Sequence, residues 1–158
     1  MAWTNSKIFR PYLADSLART AAFDLDADTF KAALYNNTGT PDQNATSALS
    51  GYNAATSQWV VANEVSQVGQ WAAGGVTLTG VVCNSATAAT VFFDANDTAS
   101  GAAATLANVY GVLVYDSTLA TPVASQGVSF NYLGGANSVT AGTLTVVWNA
   151  NGIFRFTL

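Results

Sequence analysis

Beyond Trp59 the chain is a succession of short β-branched and aromatic runs, each closed by Gly, Asn, Asp or Ser. Runs of that length are too short for stable isolated helices and suit strands bounded by turns. Strands are predicted near 59–63, 76–83, 89–94, 109–116, 127–132, 143–148 and 153–158. The strongest are Val91-Phe92-Phe93, Val112-Leu113-Val114-Tyr115 and Leu144-Thr145-Val146-Val147-Trp148. Asn149-Ala150-Asn151-Gly152 reads as a hairpin loop joining the last two, with Gly or Asn available for positive φ. Regular strand spacing without a long helical pattern predicts an all-β fold: one antiparallel β-sandwich or jelly-roll-like domain.

The first third is different. Pro11 to Arg19 forms a helical candidate, with proline in the first turn and Asp15 and Arg19 spaced as an i,i+4 pair. Two or three turns are marginal alone, so this helix must dock. Phe23, Leu25 and Ala27 alternate with Asp24, Asp26 and Asp28, the period of a half-buried strand. Phe30 to Tyr35 fits strand or helix by periodicity, and residues 36–42 end it with dense turn chemistry. Residues 43–58, rich in Ala, Ser, Thr and Asn, read as a long surface loop with room for one helical turn.

Charge sorts these regions by role. Of the 14 charged residues, 9 lie within the first 42 positions, and histidine is absent. Residues 1–20 therefore read as a docking arm with a short helix, and 21–158 as the β body. Trp3, Ile8, Phe9 and Tyr12 are the arm's expected apolar anchors, and Lys7, Arg10 and Arg19 its cations.

Composition narrows function further. Half the residues are hydrophobic and 9% are charged, against an average near ~25% charged, so a packed fold is expected and disorder is not. A surface so poor in charge favours assembly with itself or another protein. The net charge of −4 and the lack of clustered cations argue against nucleic acid. No apolar run is long enough to span a membrane as a helix, and the opening residues lack the apolar stretch of a secretory signal. Cys83, the one cysteine, has no internal disulfide partner and reads as a buried structural thiol.

No residue pattern selects an enzyme. Without histidine the common serine triad is unavailable, and there is no Ser-x-x-Lys pattern or phosphate-binding glycine loop. Glu64 could pair with an aspartate in a glycosidase, yet nothing in the sequence selects the partner. Asp24, Asp26 and Asp28 could offer oxygens to a hard cation, but an EF-hand match fails at the sixth and twelfth positions, so they read as a solvated strand face. Asp94, Asn96 and Asp97 read as a turn. No catalytic, metal or cofactor site is expected. Trp59 or Trp71, if exposed in a groove, would suit carbohydrate stacking; core packing is the alternative.

One block stands out: Asn63-Glu64-Val65, then Gly69-Gln70-Trp71-Ala72-Ala73-Gly74-Gly75-Val76-Thr77-Leu78. With Lys31-Ala32-Ala33-Leu34-Tyr35, Pro41-Asp42, the acidic turn Asp94 to Asp97, Val112 to Asp116 and Gly142 to Gly152, it is collinear over residues 20–158 with a family of small tailed-bacteriophage virion proteins, which the chain resembles. Where that family usually has a Trp after the acidic turn, this chain has Thr98-Ala99-Ser100-Gly101. The resemblance implies a capsid decoration (cement) protein on the outer surface of the head, with the major capsid protein as partner. It also implies a β-rich homo-oligomer, a trimer in the favoured case, made in the host cytoplasm and carrying no catalytic residues. Glu64 is then expected as a buried or half-buried acceptor near the Gly74-Gly75 bend. A carbohydrate- or receptor-binding module of a tail or head fibre is the alternative reading.

Overall fold

A computed structural model describes residues 3–18, 22–85 and 90–157. The strands are β1 (Lys7–Ile8), β2 (Phe30–Tyr35), β3 (Val76–Thr77), β4 (Val82–Asn84), β5 (Thr90–Asp94), β6 (Thr98–Ala99), β7 (Ala104–Asp116), β8 (Gly127–Gly142), β9 (Thr145–Val146) and β10 (Phe154–Thr157). Helix α1 covers Arg10–Ala18, and the single turn α2 covers Ser47–Ser50. The architecture is all-β and antiparallel, as the run lengths predict. A five-stranded sheet runs β1-β8-β7-β2-β3, a three-stranded sheet β10-β5-β4, and β6 pairs with β9.

The five-stranded sheet is covered on both faces, which is why its central strands read as continuous apolar runs. Register puts Phe30, Ala32 and Leu34 of β2 beside Asp116, Val114 and Val112 of β7 on one face. The three-stranded sheet packs there, with Phe93 of β5 edge-on to Phe30 at 5.0 Å between ring centres. On the opposite face Tyr35, Leu113 and Phe130 lie under an aromatic cover built from the N-terminus and the long loop after β2. Trp59 sits 5.1 Å from Tyr35 and 5.7 Å from Trp3, both edge-on, the geometry aromatic quadrupoles favour. The Tyr35 hydroxyl donates to the Trp59 carbonyl at 2.7 Å, fixing the loop over the sheet.

Several sequence expectations need correction. Residues 59–63 make no strand; Val61–Asn63 is a 3-10 turn. The run 76–83 divides between β3 and β4, which belong to different sheets. Asn149 to Gly152 does form a tight turn, closed by the Gly152 amide on the Asn149 carbonyl at 2.7 Å. It is no hairpin, because β9 pairs with β6 while β10 pairs with β5. Residues 24–28 form a turn instead of a strand. Asp24 Oδ1 accepts the amides of Asp26 and Ala27, each at 3.1 Å, and Asp28 Oδ2 accepts the Asp24 amide at 2.7 Å. Aspartates competing for their own backbone override the alternating pattern.

Candidate functional site: the N-terminal segment, the polar clusters and the surface grooves

The residues expected to form a docking arm are divided by the fold. Trp3, Phe9 and Tyr12 are buried, so they are core residues and not anchors for a partner. Pairing of β1 with β8, Lys7 opposite Phe130 and Ile8 opposite Ser129, carries the segment into the main sheet. The Trp3 indole Nε1 donates to the Asn36 carbonyl at 2.9 Å, and Tyr12 packs edge-on to Phe23 at 4.4 Å. A body so poor in charge still has a sheet face to cover, and these aromatics cover it. Trp3 to Tyr12 thus belong to the packed body and do not stand apart from it as an arm. Lys7 and Arg10 remain exposed and Ile8 is half-buried; Arg10 donates to Asn44 Oδ1 at 2.8 Å. Arg19 lies outside the described residues.

The tryptophans behave similarly. Trp59 and Trp71 are buried, so neither offers a stacking platform for sugars. Cys83 is half-buried, not fully buried as the sequence suggested. Burial, then the nearby Asp26 charge, push its thiol up. Asp26 Oδ1 also accepts the Cys83 amide at 2.6 Å, tying the acidic turn to β4. Among the described residues no group of three or more Cys, Asp or Glu is arranged to hold a metal ion. Asp97 Oδ1 accepts the Trp148 amide at 2.9 Å, a turn role for the second acidic stretch.

Glu64 is held by the bend that the resemblance associates with it. One carboxylate oxygen accepts the Tyr52 hydroxyl at 2.8 Å, and the other accepts the Gly74 amide at 2.9 Å. Tyr115 stacks on Tyr52 at 4.8 Å and donates its hydroxyl to the Gly74 carbonyl at 2.6 Å. Burial holds the Glu64 acid above its ordinary value, while the donors from Tyr52, Gly74 and Gly75 pull against that rise. Both oxygens are engaged in tying Tyr52 to the Gly74 bend, which Tyr115 in turn ties to β7, so this carboxylate is built into the fold.

A second buried carboxyl has a sharper consequence. Asp116 ends β7, and its Oδ1 accepts the amides of Thr118 and Leu119 at 2.8 and 3.1 Å. Its buried Oδ2 has no donor among the described residues; the Asp28 carboxyl lies beside it. Burial first, then Asp28, push the Asp116 acid up to about 6, so Asp116 keeps its proton to mildly acidic pH. An aspartate in the unfolded chain loses its proton near pH ~4. Between those values the folded chain binds the extra proton, so stability falls as pH rises through that window. Asp116→Asn supplies a permanent donor toward Asp28 and keeps the Oδ1 acceptor. Urea denaturation should show the variant gaining on the wild type as pH rises from 4 to 7, by about 1–3 kcal/mol. A difference that does not change with pH would contradict the raised Asp116 acid.

Two grooves mark the surface. One, of about 540 Å³, runs between α1, the acidic turn, β4 and β10, lined by Tyr12, Leu13, Leu17, Phe23, Phe154 and Phe156 among others. Leu17, one of the residues lining it, is 85% exposed. The second lies on the flank where β1 and β10 are neighbours. Local sequence does not signal either groove, because each is assembled from segments more than 100 residues apart. Comparison with protein-family models, curated proteins and solved structures finds no match.

Proposed function

We infer that the chain is a structural component of a tailed-phage virion, a decoration protein that binds the major capsid protein on the outer surface of the head. The observation that carries this reading is the fit between the phage-like block and the fold. Glu64, Trp71, Gly74 and Gly75 of that block are framework residues: Trp71 donates its indole N–H to the Ala32 carbonyl at 3.1 Å, and Glu64 holds the Gly74 amide. A motif used for framing is what a resemblance between structural proteins would preserve. The surface also supports assembly, since Leu17, Val68 and Val147 are exposed on a body with few charges to wet it. Neighbouring copies, in a trimer, or the shell itself would cover such residues.

The purified protein, added to phage heads that lack it, should cosediment to a saturable stoichiometry and raise the temperature at which the heads rupture. Binding to isolated tails but not to heads would refute the decoration role.

A further inference from the structure

The flank between β1 and β10 brings two outermost strands to one groove. Cavities of about 300 and 270 Å³ share Ser6, Asn131 and Ile153 and so form one continuous trough. Ser6, Lys7 and Ile8 line one wall, and Ile153, Phe154, Arg155 and Phe156 the other. Asn131 of β8 lines both cavities, so the trough runs beside β1 and along the neighbouring part of β8. Both strands are outermost in their sheets. The Phe9 amide donates to the Val128 carbonyl at 3.0 Å, which makes Ile8↔Ser129 a non-hydrogen-bonded pair. The Ile8 N–H and C=O therefore point away from β8, at the open edge of β1 beside the trough.

The charge of the trough selects what can lie in it. Lys7 and Arg155 are both exposed on its walls, Arg155 also donating to Asn151 Oδ1 at 2.7 Å, and no acidic residue among the described residues lines either cavity. On a chain of net charge −4 this flank is a local cationic strip. We propose that the β1–β10 flank is a docking groove for an extended, acidic segment of a partner protein, which pairs with the edge of β1 and places its carboxylates against Lys7 and Arg155. Backbone pairing supplies the affinity, and the two cations exclude basic strands. The same cations deter pairing between identical edges, a common protection of exposed strands. The proposal goes beyond the virion reading and does not rest on it, because any partner presenting such a segment would satisfy the groove.

The probe is a capped peptide of about eight residues alternating valine and glutamate, matched to the length of a strand. It is titrated into the 15N-labelled full-length protein and compared with its valine–lysine counterpart. Amide shifts are expected at Lys7, Ile8 and 153–156 with the acidic peptide and should weaken as salt is added. Ile8→Pro removes an outward N–H that has no acceptor among the described residues, as edge strands tolerate, and should weaken binding roughly tenfold. The double variant Lys7→Glu/Arg155→Glu should also weaken it roughly tenfold and leave the fold's spectrum intact. Equal binding of the lysine peptide, absence of shifts at millimolar peptide, or shifts unaffected by Ile8→Pro would each overturn the proposal. Self-association abolished by Ile8→Pro would assign the groove to a second copy and also overturn it.

Discussion

Deleting residues 1–9 should unfold the protein instead of merely releasing it from a partner. The deletion removes Trp3 and Phe9, whose side chains are almost wholly enclosed. It also removes β1 from the main sheet and the Trp3 bond to Asn36. Truncating a buried Trp or Phe to Ala costs about 3–5 kcal/mol. Two such losses reach the whole stability of an ordinary domain, about 5–15 kcal/mol. Trp3→Ala alone is therefore expected to leave a folded but weakened protein, with its urea midpoint sharply lowered. The Trp3 ring lies where a side chain at position 111 would stand, so Gly111 cannot fill the space that Trp3 vacates. A truncated protein that unfolds cooperatively at the wild-type midpoint would show that the aromatic cover is dispensable.

Gly75→Ala should be the most damaging single methyl addition in the phage-like block. Gly75 has φ +75°, and a Cβ there would overlap the Ala32 carbonyl and stand 2.7 Å from the Ala33 nitrogen. Those neighbours are backbone of β2, which is buried and paired on both sides, so they have little room to retreat. Strained conformation and overpacking each cost about 1–3 kcal/mol, for a combined loss of about 2–6 kcal/mol. Gly69 is the control. It has nearly the same φ, +74°, with nothing within 4 Å of the added carbon, so Gly69→Ala should cost only about 1 kcal/mol. Equal losses at the two positions, measured by urea denaturation, would show that conformation alone matters and that the contact with β2 does not.

The strands legible in the sequence are those whose own residues prefer extended backbone. Val91-Phe92-Phe93 and Val112 to Tyr115 lie where their β-branched and aromatic content puts them. The outer halves of β7 and β8 were hidden, because Ala104 to Asn108 and Leu133 to Gly142 are mostly small or polar. Pairing carries those stretches, through a ladder with several register shifts that no local pattern encodes. Asp24 to Asp28 misled for the opposite reason: its alternation was genuine, but side chain–backbone bonds made a turn. For the candidate contact residues, sequence distinguished aromatic from charged and could not tell core from surface. Trp3 finds its partner 33 residues away at Asn36, and Ile8 finds its own at Ser129. Glu64 was legible only through the resemblance, as an acceptor at the Gly74 bend.

The location of the protein on the particle tests the central reading most directly. A cryomicroscopy map of heads reconstituted with the protein should show the β-sandwich on the outside of the shell, repeated with the symmetry of the capsid lattice. Density on the tail axis, with a bare head surface, would contradict the account.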